Sequence, residues 1–468
     1  MNKKYLLGCL SILAATATLG SCSDDNTSNE DNANAGYVWT TDGGLKACNQ
    51  LLFNEQGKDD AKGTVIGNGD QEFVFTGKQT LKKGTYTLKG WVYIASGAEL
   101  TIEPGTVIKG DKTTKAALIA ERGGKLIAQG TASDPIVFTS AQPAGSRRPG
   151  DWGGIILCGK AKNNQNEMQI EGGPRTKHGG DNDGDSSGVL SYARIEFAGN
   201  PFKADQEING LTLGSVGSGT KIDHVQVSYS NDDSFEWFGG AVNCKYLIAY
   251  KGWDDDFDTD NGYSGKVQFC LSVRDPRLAD QSQSNGFESD NCADGASVTP
   301  YTSCLFENML FLGPKYNDPA FSNTADYING GDVYPNNGSS LGRFQAGMHI
   351  RRNSHLCCRN AVIVGWPVGV IIDNEKGDCR SAAESGLLKL NNIRVVDCDV
   401  LASDANKDLK DRLCTSYKDK TYDDAQPSWS HTWFLQQTGN TLASVQDVDL
   451  THTWTDGWTC FDPQNEKY

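Results

Sequence analysis

"NDDSFEWFGG" (Asn231–Gly240) and "WDDDFDTDNG" (Trp253–Gly262) are nearly one string written twice, and the spacing between them decides the fold. A shift of 22 residues sets Asp232 on Asp254, Asp233 on Asp255, Phe235 on Phe257 and Glu236 on Asp258. The same shift sets Val225 on Leu247 and Val227 on Ala249, and repeating it carries those places to Phe269 and Leu271. About eight residues are then inserted around "DPRLADQS" (Asp275–Ser282). The third acidic string, "SNGFESDN" (Ser284–Asn291), therefore follows the second by 30 residues: Phe287 on Phe257, Glu288 on Asp258, Asp290 on Asp260. β-Rich units recurring every ~20–30 residues are the mark of a solenoid. One strand per turn, stacked on the next at ~4.8 Å, piles equal residues into ladders and lets insertions bulge out as loops.

The same rhythm extends outward. "GAELTIEPGTVIKG" (97–110) is echoed by "GGKLIAQGTASDPIVFTS" (123–140), with Leu100 and Leu126 separated by 26 residues. "GGIILCG" (153–159) is a further apolar run, and "SYARIEFAGN" (191–200) alternates apolar with polar residues. No comparable stretch sustains a 3.6-residue period. Glycine outnumbers proline 53 to 14, which favours many turns. The pattern resembles the right-handed parallel β-helix of the pectin-lyase-like superfamily. The strings "LTIEPGTVIKG", "ARIEFAGN", "NGLTLGSVGSGT", "DDSFEWFGG" and "DDDFDTDNGYSGKVQF" look more narrowly like a family of β-helical surface lipoproteins of the Bacteroidota. That family has no established activity, so the resemblance implies fold and location, not a reaction. The expected architecture is all-β: an N-terminal cap (37–84), a right-handed parallel β-helix (85–400) and an irregular C-terminal cap (401–468). "SDANKDLKDRLC" (403–414) reads as a short helix. Trp429, Trp433, Trp454 and Trp458 read as packing in that cap, or else as an aromatic platform for sugar.

Lys3 and Lys4, the apolar run Leu6–Leu19 and "LGSC" ending at Cys22 form a signal peptide over residues 1–21, too short for a membrane span. "LGSC" resembles a bacterial lipobox, which implies lipid on Cys22. Ser23-Asp24-Asp25 looks like an export signal to the outer face of the outer membrane. Residues 22–36 then make a lipidated cysteine and a polar, flexible tether. No later apolar run approaches the ~18 residues of a transmembrane helix. The expected location is the outer membrane, lipid-anchored and facing outward.

A net charge of −16 argues against nucleic acid, which calls for a basic face. Setting Cys9 and Cys22 aside from the 14 cysteines leaves twelve. Cys292 with Cys304, Cys379 with Cys398 and Cys414 with Cys460 are candidate disulfides in an oxidising location. Cys244 and Cys270 read as small buried hydrophobes, and Cys357-Cys358 suggests no mechanism. No CxxC or His/Cys spacing points to zinc.

Strand alternation puts i and i+2 on one face. With Phe235, Phe257 and Phe287 inside, Asp256, Asp258 and Asp260 are expected to face out, Glu236 above them and Glu288 and Asp290 below. Six carboxylates on one patch must hold a cation, share protons or pair with basic residues. Ca²⁺ suits such hard oxygen ligands on rigid strands. The alternatives are an acidic ladder that is only solvated, and catalysis on a glycan, with Asp256 and Asp258 as acid–base residues and Lys251, Arg274, Arg277, Arg351 or Arg352 as base. "GMHIRR" (Gly347–Arg352) departs from the polygalacturonase pattern, since its histidine lacks the following glycine. "DNDGDSSG" (Asp181–Gly188) offers a second Ca²⁺ candidate at Asp181, Asp183 and Asp185, although its glycine is misplaced for an EF-hand and Tyr192 stands where a glutamate is needed. His349 and His355 flank the arginines and read as structural. No P-loop, nucleophile elbow, dinucleotide fingerprint or HExxH is present. The expected work is binding an extracellular ligand, a glycan, with Ca²⁺ at the ladder. The alternatives are a polysaccharide lyase or glycoside hydrolase, and an accessory subunit of an outer-membrane transporter or an adhesin.

Overall fold

The computed structural model describes residues 36–170, 173, 175–200, 208–331, 340–404, 428–449, 451 and 453–468. Cys22, Cys414 and nearly all of the segment expected as a helix at 403–414 lie outside them. The chain winds into a right-handed parallel β-helix. Among the described residues thirteen strands stack into one sheet and sixteen into another, and after an antiparallel first pair in each the strands pair in parallel with their counterparts in the next turn. Leu100 sits on Leu126, and Phe235, Phe257, Phe287 and Met348 follow one another in parallel register. Parallel stacking already begins when Ala47–Cys48 pairs with Val74–Phe75, inside the segment expected as a cap. It ends where Arg394–Val396 pairs with Thr441–Ala443.

The core lies between the sheets, and each column in it is one repeat position. Leu211, Phe235, Phe257, Phe287, Met348, Val370 and Ala402 form one such column, every member fully buried. The Phe235 and Phe257 rings stack at 5.5 Å. The opposite wall supplies Val225 and Leu247, then Cys270, Met309, Ala361 and Ile393. Here the sequence register needs a correction. Cys244 pairs with Val267 and Ala249 with Ser272, a shift of 23, so Phe269 and Leu271 do not take the core places. Those go to Cys270 and Ser272, because this turn is one residue longer and a one-residue slip reverses every side chain. Phe269 lies 37 % exposed on the outside.

A bend recurs in seven successive rungs of the second sheet. Tyr192, His224, Tyr246, Phe269, Asn308, Asn360 and Asn392 all take positive φ, between 46° and 60°. Their side chains stack: Tyr192 on His224 at 4.2 Å, His224 on Tyr246 at 4.5 Å and Tyr246 on Phe269 at 5.2 Å. Below them Asn392 donates to Asn360, and Asn360 to Asn308, each at 3.3 Å. Asparagine tolerates this conformation and the ladder recovers its amide hydrogen bonds.

The four tail tryptophans do not form one surface. Trp429 and Trp433 stack at 5.7 Å on the helix Trp429–Gln436, beside the last strand of the first sheet. Trp454 and Trp458 instead lie along the second sheet, against Tyr246 and against Tyr192 and His224. Cys292, Cys304, Cys379, Cys398 and Cys460 carry free thiols, so the Cys292–Cys304 and Cys379–Cys398 bridges are not formed. No helix among the described residues is long and apolar enough to cross a membrane.

Candidate functional site: an acidic cleft on one sheet

The register of the first sheet builds the site. Thr212, Glu236, Asp258, Glu288, His349 and Ile371 occupy one position on successive strands. Their inward neighbours are the phenylalanine column, so alternation turns these side chains out. The corner just before each strand adds a second row, Asp232-Asp233 in one turn and Asp254-Asp255 in the next. Glu236, Asp258 and Glu288 of the first row and all four corner aspartates line a cavity of about 270 Å³, together with Asn209, Gln283 and Arg351.

The carboxylates gather in three overlapping groups: Asp232, Asp233 and Asp254; Asp233, Glu236 and Asp258; Asp255, Asp258 and Glu288. In each group one oxygen from every residue lies within 4.8 Å of the others. Asp233 and Asp258 each belong to two groups. Backbone hydrogen bonds fix the corners: Asp255 N–H donates to Asp233 Oδ1 at 2.9 Å, and Asn285 N–H to Asp255 Oδ1 at 2.5 Å. Ser282 donates its hydroxyl to Asp254, and the Asn209 amide donates to Glu236.

Charge is balanced at one end only. Glu288 is bound by Arg351 and stands 3.1 Å from His349 Nδ1, off the hydrogen-bond direction. His349 Nε2 lies 3.2 Å from Asp373. Asp290 takes Arg351 at 2.8 Å and Arg352 at 2.6 Å. At the other end, Asp233, Glu236, Asp254, Asp255 and Asp258 have no lysine or arginine within ion-pair distance among the described residues.

The pKa directions follow this division. Burial, then mutual repulsion, pushes Asp233, Glu236, Asp254, Asp255 and Asp258 well above the carboxylate range. Asp260 is raised to about 7 by burial and by Asp290. Burial also works against ionised Glu288, but Arg351 and His349 outweigh it and hold the group at about 2. His349 is raised despite burial, because Asp373 and Glu288 favour its charged form.

Four buried oxygens in this cleft accept no hydrogen bond: Asp254 Oδ1, Asp258 Oδ1, Asn209 Oδ1 and Gln283 Oε1. Asn209 and Gln283 are each only 4 % exposed. A buried acceptor without a donor costs roughly 1–3 kcal/mol. Two amide oxygens and two carboxylate oxygens without a donor, among carboxylates that have no basic partner, match the ligand set of a hard cation such as Ca²⁺.

The structure sorts the sequence candidates. Glu236, Asp258 and Glu288 meet in the cleft. Asp260 and Asp290 share their face but lie outside the three groups, Asp290 being held by the arginines. Asp256 departs from the expectation. The strand begins at Phe257, so alternation does not reach Asp256, and its carboxylate turns away to Arg274 at 2.8 Å and to Ser272. Arg274 is wholly buried with it and does not line the acidic cavity, which removes both from acid–base work there. Lys251 pairs with Asp275 and Arg277 lies over Tyr327, both away from the cavity. The second calcium candidate does not form. Asp183 is taken by Lys162, Asp185 accepts the Lys160 N–H, and Asp181 joins no acidic group among the described residues. The corner residues Asp232, Asp233, Asp254 and Asp255 were aligned by the 22-residue shift but not read as ligands; Asn209 and Gln283 carry no signal in the sequence. His349, read as structural, stands next to Glu288 in the ladder.

Fold and cleft together define a parallel β-helix with an acidic site on one sheet. A family model described as a pectate-lyase-like beta helix domain matches residues 74–459, and the chain belongs to that family. No match was found among curated proteins or among solved structures.

Proposed function

We propose that the cleft binds Ca²⁺ and, through it, an extracellular glycan bearing carboxylates, on a protein held at the outer face of the outer membrane by lipid on Cys22. One observation carries the cation: five carboxylates without a basic partner share a cavity with the bare amide oxygens of Asn209 and Gln283. A dication offsets the repulsion and gives each oxygen a partner. A bound cation facing an open cleft keeps coordination places for an anionic ligand, and the family description, pectate-lyase-like, supports a polyuronate.

Binding is favoured over cleavage by the state of the basic residues. Arg351 is committed to two carboxylates, and His349 is held between Glu288 and Asp373. Neither offers a free base for proton abstraction. The alternative, a lyase or hydrolase on acidic glycan, predicts unsaturated or reducing ends when polygalacturonate is incubated with the protein and calcium.

The deciding experiment is calorimetric titration of chelator-treated protein with calcium chloride, followed by polygalacturonate with and without calcium. Saturable calcium binding, and glycan binding only in its presence, is the expected outcome. Heat indistinguishable from dilution in the calcium step would remove the cation. An outer-membrane transporter as partner is tested by co-purification from solubilised membranes.

A further inference from the structure

We propose that Arg274 is the positioning residue of the acidic cleft, acting from inside the core on the corner that carries Asp254 and Asp255. This rests on the cation-binding reading of the same cleft. The Arg274 side chain is fully buried, 5.3 Å from the Phe344 ring and 6.0 Å from that of Trp366. One terminal nitrogen donates to the Asp254 carbonyl at 2.6 Å and to Asp256 Oδ1 at 2.8 Å. The other donates to the Trp253 carbonyl at 3.1 Å. Ser272 holds the remaining Asp256 oxygen.

The two carbonyls matter because of what they flank. The peptide group bearing the Trp253 carbonyl ends at the Asp254 Cα. The peptide group bearing the Asp254 carbonyl joins the Cα atoms of Asp254 and Asp255. Planar peptides leave only the torsions at Asp254 to turn between them. One rigid guanidinium gripping both planes therefore fixes the direction of the Asp254 side chain and the place of Asp255. These residues supply one ligand each to two of the three carboxylate groups, Asp254 beside Asp232 and Asp233, Asp255 beside Asp258 and Glu288. Arg274 thus sets the spacing of both groups without touching the cavity. Asp256 neutralises it and orients its fork. The neighbouring turns have Ser234 and Gly286 at the Asp256 position, so this brace serves a single turn.

The test measures calcium affinity and melting temperature separately, with calcium chloride as the probe. Arg274→Lys keeps the charge but cannot reach both carbonyls and Asp256. It is expected to weaken calcium binding about 10–100-fold, the usual effect of losing a residue that orients metal ligands. Because a strained or unpaired buried charge can unfold the protein, the double variant Asp256→Leu with Arg274→Met removes both charges together, an exchange that is often neutral for stability. It should melt near the wild type and show the same loss of affinity. Affinities are measured well below each melting temperature, so a merely structural brace would lower melting and leave the Kd unchanged. Wild-type affinity in either folded variant overturns the proposal alone. Absence of calcium binding in the wild type overturns it together with the cation-binding reading.

Discussion

Asp258 is the residue on which the cleft turns, since it stands in two of the three carboxylate groups and leaves one buried oxygen without a donor. Its carboxyl, like those of Asp233, Glu236, Asp254 and Asp255, is raised by burial and by its neighbours. A raised carboxyl binds its proton more tightly folded than unfolded. Its contribution is complete below the unfolded value and is lost as pH rises through the folded one. For Asp260 that window runs from 3.8 to about 7. The calcium-free protein should therefore melt at lower temperature at pH 8 than at pH 5, and calcium should restore more at pH 8. Calcium at about 100 times its Kd adds about 2.7 kcal/mol. Asp258→Asn removes one of the repelling charges. It should raise the calcium-free melting temperature at pH 8 and abolish most of the calcium shift; an unchanged shift would take Asp258 out of the site. Glu288 runs the other way. Held at about 2 by Arg351 and His349 against burial, it contributes above its unfolded value of 4.5 and loses that contribution as pH falls toward 2.

The strands show which parts of this were legible. Phe235, Phe257 and Phe287 could be placed inside because each recurs beside a carboxylate at fixed spacing, and an aromatic flanked by charges has one buried choice. Glu236, Asp258 and Glu288 followed as their outward neighbours. Asp256 did not, because alternation holds only within a strand and the strand starts one residue later. Phe269 was misplaced for a related reason: one extra residue in a turn leaves little trace in composition but reverses the faces beyond it. The two phenylalanines give a direct comparison. Phe257 is fully buried and stacked on Phe235, so Phe257→Ala should cost about 3–5 kcal/mol in urea unfolding. Phe269 is partly exposed with a stacking contact on Tyr246, so Phe269→Ala should cost about 1 kcal/mol. Equal costs would contradict the 23-residue register.

The described chain from Tyr37 onward is largely a stack of similar turns in which an acidic cleft arises where acidic turns lie next to each other. Its placement at a membrane is a separate proposal resting on the N-terminal residues. Cys22→Ala should move the protein from the membrane fraction to the soluble fraction; unchanged sedimentation with membranes would refute a lipid on Cys22. The coil, its inward aromatic column, the outward carboxylates Glu236, Asp258 and Glu288 and the corner pairs Asp232-Asp233 and Asp254-Asp255 were written in a repeat, and a repeat is local information that stacking converts into columns. Other features depend on chain segments far apart in sequence. Asn209 and Gln283 reach one cavity from 74 residues apart, Arg351 meets Glu288 across a turn boundary, and Arg274 grips carbonyls about 20 residues before it. No spacing rule predicts such meetings, because loop lengths and corner geometry set them. The charge balance of "NDDSFEWFGG" and its echoes was decided there, by which carboxylates the folded chain brought to an arginine and which it left to one another.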